Sequence, residues 1–343
     1  MRTLVLAVAH EPRVRSFMTE GPGRALARRF VAGETLDDGF AAAQRLGEAG
    51  ARVSLDYLGE SVGSFADAEA ALAVYRATTD RLRGFDAPVS LSVKPSQLAV
   101  ELSRERCFEL LVEVVDAART IPAAVRLDME DSSHTDDTLW LARRLRERDR
   151  PVGVVLQASL YRTPADLELA LAAGLSVRLC KGAYAEPRSI AYPRKSDVDA
   201  AYGRLLETLI ARAAGAPAPG VGQLPIAAIA THDQRLILRA RELIERMGVD
   251  RTKYEFQMLY GVRRDLQQWL LAREYPLRVY TPWGPSWYPY LTRRLAERPA
   301  NLLFFASSLA SELVAGKPAT HRGRRDDGHR EGAGSVWTTK DTK

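Results

Sequence analysis

PVGVVLQASLYRTPADLELALAAGLSVRLCK, residues 151–181, holds one complete strand–helix–strand unit. PVGVVLQA (151–158) is apolar and β-branched, and LSVRLCK (175–181) repeats that character one helix later. Short runs of this kind read as strands buried on both faces. Between them Thr163, Pro164 and Asp166 signal a helix start: a capping hydroxyl, a proline in the first turn and an acid at the positive end of the helix dipole. Gly174 closes the same helix. A helix joining two such strands is a crossover connection, so the strands run parallel.

The unit recurs along the chain. Six further runs have the same character: ARVSLDY (51–57), APVSLSVK (87–94), AAVRLDM (123–129), IAAIATH (226–232), YEFQML (254–259) and LRVYTPW (277–283). Each is followed by a helical pattern, at the spacing of about thirty residues that a βαβ unit needs. Ser196 with Asp199 reads as a second capping pair, and Thr135 with Asp136 and Asp137 as a third helix start. Eight alternating units predict a (β/α)8 TIM-like barrel rather than an open doubly wound sheet, which more often has five to seven strands. Thr35 and Asp38 open an additional helix ending near Gly50, which makes residues 1–50 an N-terminal helical cap before a single barrel domain over 51–316. Residues 317–343, rich in Gly, Arg and Asp without periodicity, read as a disordered basic tail.

Bulk composition narrows the classes of function. The 343 residues are 46% hydrophobic and 27% charged, enough apolar matter for a large core. The formal charge is +6, but the tail carries seven Lys/Arg against four Asp/Glu, half of that excess, so the body is close to neutral. No basic stripe marks a nucleic-acid binder, while the tail leaves peripheral contact with an anionic membrane surface open. Two cysteines, Cys107 and Cys180, in segments read as a helix and a strand, support neither a disulfide framework nor a zinc site. With no export signal and no apolar span long enough for a membrane, the expected location is cytoplasmic.

In a barrel the chemistry sits at the carboxyl ends of the strands. Here nearly all of them end in reactive groups: Asp56 and Glu60, Lys94, Asp128, Gln157, Arg178 with Lys181, Thr231 with His232, and Tyr280. One such residue is ordinarily a solvated loop group. A ring of them implies mutual pairing or a polar ligand, because unpartnered buried charges cost several kcal/mol each. Arg178 is the sharpest case: it stands between Val177 and Leu179, where a core strand normally carries an aliphatic, and it needs an anionic or hydrogen-bonding partner. Lys181 is compatible with the Schiff-base lysine of a barrel aldolase or lyase. Asp128, Glu130 and Asp131 also read as an acidic cluster, but acids near a helix start are more often capping than metal-binding. On the last helix Tyr290, Arg293 and Arg294 share one surface, and paired guanidinium groups beside an aromatic ring suit a small carboxylate. No G-x-G-x-x-G follows any strand, which disfavours a Rossmann dehydrogenase.

The segments LDYLGE (55–60), SVKPSQL (92–98), RLDMED (126–131), VVLQASLYRT (154–163), VRLCKGAY (177–184), IATHD (229–233), EFQMLYG (255–261), VYTPWG (279–284) and YLTRRLAE (290–297) resemble, in order, those of the proline dehydrogenase family. The resemblance implies a distorted (β/α)8 barrel holding FAD noncovalently, and oxidation of L-proline to Δ1-pyrroline-5-carboxylate with electrons passed to a quinone. Carried over by position, Asp128 and Arg178 are catalytic. Met129, Gln157, Arg178, Lys181, Gly182, Ala183, Thr231 and His232 contact the flavin. Lys94, Tyr184, Leu259, Tyr280, Tyr290, Arg293 and Arg294 surround proline, and Glu60 pairs with Arg293 as a gate. Ala185 departs from members that carry a bulky aromatic after GAY. Nothing resembles a DNA-binding arm or an aldehyde dehydrogenase domain, so the chain reads as a monofunctional, bacterial-type member. The alternatives are a lyase or aldolase using Lys181, and a noncatalytic ligand-binding barrel.

Overall fold

Eight strands hydrogen-bond in sequence order into a closed, all-parallel barrel in the computed structural model, which describes residue 24, residues 27–85 and residues 87–297, the last five of these by backbone alone. They are β1 (Arg52–Tyr57), β2 (Val89–Val93), β3 (Ala124–Leu127), β4 (Val152–Gln157), β5 (Ser176–Cys180), β6 (Ala227–Ala230), β7 (Tyr254–Leu259) and β8 (Leu277–Trp283). The ring closes where β1 pairs β8, from Arg52 beside Arg278 to Tyr57 beside Trp283. All eight lie within the runs read from the sequence. The proposed tail, residues 317–343, lies outside the described residues.

Helices α2 (Phe65–Arg81), α3 (Arg104–Arg119), α4 (Thr135–Glu147), α5 (Thr163–Ala172), α6 (Lys195–Gly215), α7 (Gln234–Met247) and α8 (Arg264–Leu271) each follow one of the first seven strands. The outward residues of each strand, such as Leu55, Leu91, Leu127, Val154, Leu179, Ile229 and Phe256, join helix residues in one continuous core. Helix α1 (Leu36–Glu48) precedes β1 and packs against both β8 and β1, with Gly39 flat against the Trp283 ring. That is the slot which the helix after β8 fills in a regular barrel. Helix α9 (Trp287–Glu297) instead contributes Trp287, Tyr290 and Leu291 to a separate cluster with Ala27, Val31 and Leu58. Because Leu58 directly follows β1, this cluster brings α9 to the carboxyl end of the barrel.

Local signals held in some places and were overridden in others. Thr35 and Asp38 form a reciprocal capping box at the start of α1, and Gly174 adopts the left-handed φ of +73° that ends α5. Thr163 does not cap α5: its hydroxyl donates to the carbonyl of Gln157, anchoring the helix to the end of β4. Ser196 and Asp199 do not form a capping pair either, since α6 begins at Lys195 and Asp199 accepts from Lys181 and Lys195.

The barrel interior is polar. Side chains alternate across a strand, and the inward set includes Ser54, Ser90, Ser92, Arg126, Arg178, Glu255, Gln257 and Arg278. Contacts between non-neighbouring strands place them there. Arg178 of β5 reaches Ser92 of β2 at 3.2 Å, and Arg126 of β3 reaches Ser176 of β5 at 3.0 Å. Toward the amino ends, Glu255 accepts from Arg278 at 2.8 Å, Gln257 at 2.6 Å and Arg52 at 3.2 Å, which plugs the lower barrel with ions rather than aliphatics.

Candidate active site

At the carboxyl end the strands deliver a buried ring of charge. Arg178 Nη1 donates to Asp128 Oδ1 at 2.9 Å, and Tyr280 Oη donates to Asp128 Oδ2 at 2.6 Å. The Arg178 guanidinium also lies 5.1 Å from the centre of the Tyr280 ring, a cation–π contact that holds both groups around the same carboxylate. Lys94 Nζ sits 3.8 Å from Asp128 Oδ2 and donates to Asp56, which is fully buried at the end of β1. The backbone N–H of Asp128 donates to Val93 O at 2.9 Å, so the acid is placed by the sheet itself. Two cations and two anions thus cancel inside a low-dielectric pocket, the arrangement that buried charges require.

Electrostatics assign the protons. Burial alone disfavours the Lys94 ammonium, but Asp56 and Asp128 outweigh it and hold the amine above its ordinary pKa. Burial lifts the Asp56 carboxyl, with Lys94 pulling against it, and the lysine keeps the shared proton. Burial, then Asp128 and Asp56, push Tyr280 well above the usual phenol range, so it remains an O–H donor.

The β4–β6 side of the mouth is built differently. Gln157 Nε2 donates to the carbonyl of Glu130 at 2.9 Å, and the Glu130 carboxylate accepts from the backbone and hydroxyl of Ser96. Lys181 Nζ is held by Asp199 and, at 3.0 Å, by Asp233. His232 Nε2 accepts from the N–H of Leu259 at 2.9 Å, which requires that nitrogen to be unprotonated. Gly182 has a φ of +101°, and a methyl group there would collide with the Ser159 hydroxyl.

A family model described as proline dehydrogenase matches residues 40–307. The chain belongs to the proline dehydrogenase family. Proline dehydrogenase of Deinococcus radiodurans is 35% identical over 320 residues, covering 90% of this chain and 97% of that protein. Proline dehydrogenase 1 of Bacillus subtilis is 31% identical over 304 residues, covering 89% and 97% respectively. The bifunctional protein PutA of Escherichia coli is 27% identical, and the match takes in 25% of its length. A crystal structure of proline utilization A from Bdellovibrio bacteriovorus, inactivated by N-propargylglycine, superposes with a TM-score of 0.72 at 24% identity. This chain spans 36% of that longer one, and the likeness is one of fold.

Family membership and geometry together sort the residues singled out in the sequence. Lys94, Asp128, Arg178 and Tyr280 converge on one pocket with buried Met129 beside them. Gln157, Lys181, Gly182, Ala183, Tyr184, Thr231, His232 and Leu259 line the β4–β7 side at strand ends or just past them. Tyr290 is buried at the start of α9. Arg293 and Arg294 occupy its next turn, and their side chains, hence the Glu60–Arg293 pair, lie outside the described ones. The Arg178 partner is Asp128. Glu130 and Asp131 are also engaged, Glu130 by Ser96 and Asp131 by the backbone N–H of Ser133 and the His134 ring, and no metal-holding cluster occurs among the described residues. Sequence reasoning missed the partners: Asp56 for Lys94, Asp199 and Asp233 for Lys181, and Ser92 for Arg178. Asp56 and Asp233 were visible as acids at strand ends, but nothing local says which cation each meets.

Proposed function

We propose that this protein oxidises L-proline to Δ1-pyrroline-5-carboxylate, with FAD as the bound cofactor and a quinone as the final electron acceptor. Family membership supports the substrate, and the Arg178–Asp128–Tyr280–Lys94 cluster is the observation that carries the chemistry. The observation that suits the β4–β6 side to a flavin is Arg178 Nε, a buried donor without a partner among the described residues, while Gly182 lets the backbone after β5 pack tightly on Ser159 and Gln157 at the end of β4. Bound FAD would supply the two-electron oxidising capacity by accepting the hydride from proline C5.

The chain's residues do the rest. Met129, Gln157, Arg178, Lys181, Gly182, Ala183, Thr231 and His232 are assigned to holding the flavin, with Arg178 placed to stabilise negative charge as it is reduced. Lys94, Arg293 and Arg294 bind the proline carboxylate, and Tyr184, Leu259, Tyr280 and Tyr290 enclose the ring. Asp128 fixes Arg178 and Tyr280, and Glu60 closes the mouth by pairing with Arg293. Contact with a quinone-bearing membrane is peripheral in this reading, since among the described residues no helix is long and apolar enough to cross one. Lys181 is not the nucleophile, because two carboxylates clamp its ammonium. The test is proline-dependent reduction of a soluble quinone analogue by purified protein, with the cyclic imine product trapped by an aromatic aminoaldehyde. Turnover with product is expected. A colourless protein that borohydride traps on a carbonyl substrate would overturn the reading in favour of a lyase.

A further inference from the structure

Asp56 has no role in the reading above, yet it is the most deeply buried acid at the mouth. It is fully enclosed, at the carboxyl end of β1, above Ser54, whose hydroxyl lies 3.1 Å from that of Ser92. Its Oδ1 accepts from Lys94 Nζ. Its Oδ2 is buried with no hydrogen-bond partner among the described residues. A buried carboxylate left half-satisfied is a poor stabilising device, since the unmade hydrogen bond keeps most of its desolvation penalty. An apolar residue would serve the core better. Its position makes sense through Lys94. An ammonium has three N–H groups. Asp56 takes one, and Asp128 at 3.8 Å lies beyond hydrogen-bond reach, so among the described residues two are left to meet a substrate carboxylate.

We propose that Asp56 is a positioning residue for proline recognition: it keeps Lys94 protonated and aims its remaining N–H groups at the substrate carboxylate. The inference rests on the proposed proline site. The groups facing Lys94 are Asp56 from β1, Asp128 from the end of β3, Tyr75 from α2 and Glu130 from the loop after β3. Arg178 bears on it through Asp128, and Tyr280 through both Asp128 and Asp56. Burial lowers the lysine pKa and the carboxylates raise it, so without Asp56 the balance tips toward the neutral amine, which cannot hold an anion as strongly.

The experiment uses cyclopentanecarboxylate, a five-membered-ring carboxylate without the amine, so that the ligand itself does not titrate between about pH 6 and pH 9. Its dissociation constant is measured on flavin-loaded wild type, D56N, K94M, K94R/D56N and D56N/K94M, as competition with proline and as a perturbation of the flavin spectrum. Wild-type binding is expected to be flat with pH. D56N is expected to bind roughly ten-fold more weakly, the loss of about one charge-assisted hydrogen bond, with the deficit growing as pH rises. K94R/D56N should be flat, because an arginine stays charged, and D56N/K94M should be no weaker than K94M. A D56N enzyme with wild-type affinity at every pH overturns the proposal, as does full additivity with K94M. Loss of thermal stability with an unchanged pH slope also overturns it, in favour of a purely structural acid. Should D56N not fold, Asp56→Ser, which leaves room for a water, is read by the same criteria. Wild type that binds neither proline nor the analogue would instead contradict the proline reading itself.

Discussion

At the scale of single residues, Arg178 shows what sequence can and cannot convey. Its charge inside V-R-L was legible as an anomaly that needed an anion. That the anion is Asp128, fifty positions earlier in the chain, was not, because pairing across a barrel depends on closure rather than on neighbours. Tyr280→Phe removes one of the two donors holding Asp128, a hydrogen bond to a charged group worth about 1.5–3 kcal/mol. The expected outcome is a fall in kcat/KM of at least roughly ten-fold at unchanged flavin content; wild-type kinetics would remove Tyr280 from the site. Gly182→Ala forces a β-carbon against the Ser159 hydroxyl at a φ of +101°, a strain of about 1–3 kcal/mol. That variant should lose flavin during dialysis, as read from the ratio of visible to ultraviolet absorbance. Arg294→Ala should raise the Michaelis constant for proline strongly and leave flavin content alone. A normal value would contradict its role in the carboxylate clamp.

At the scale of elements, the sequence was most legible where structure is local. The eight strand runs, the Thr35–Asp38 capping box and the left-handed glycine after α5 all depend on residues within a few positions of each other. Thr35→Ala removes the reciprocal cap and should lower stability by about 1 kcal/mol in denaturant unfolding, with no effect on proline turnover; a change in turnover would mean that α1 does more than close the barrel wall. Thr163 and Asp199 were misread for one shared reason. Each has capping chemistry at a capping position, but a tertiary partner, the Gln157 carbonyl or the Lys181 ammonium, takes the side chain first. The displacement of the last helix was also illegible, because the slot between β8 and β1 is taken by α1, an element 250 residues away in the chain.

At the scale of the whole molecule, the barrel is an apolar shell around an ionic core, and that core links stability to pH. Burial raises the Glu255 carboxyl, but Arg278, then Arg126 and Arg52, more than offset it and depress the pKa to about 2. A depressed folded-state value means that the stabilisation is present above the ordinary carboxylate pKa and is lost as pH falls from about 4.5 toward 2, on the order of 3 kcal/mol in all. Glu255→Gln should therefore flatten the acid limb of the stability profile. At neutral pH it should cost about 3–5 kcal/mol, because Arg278 is left buried without its counterion; an unchanged acid limb would contradict the ionic plug. The same closed ring carries Lys94, Asp128, Arg178 and Tyr280 to one mouth, and the central claim is that this mouth oxidises proline through a bound flavin. The most direct measurement is the visible spectrum of the purified protein before and after anaerobic addition of L-proline. A flavin absorbance that bleaches on addition is the predicted result, and a flavin-loaded protein whose spectrum proline leaves oxidised would contradict it.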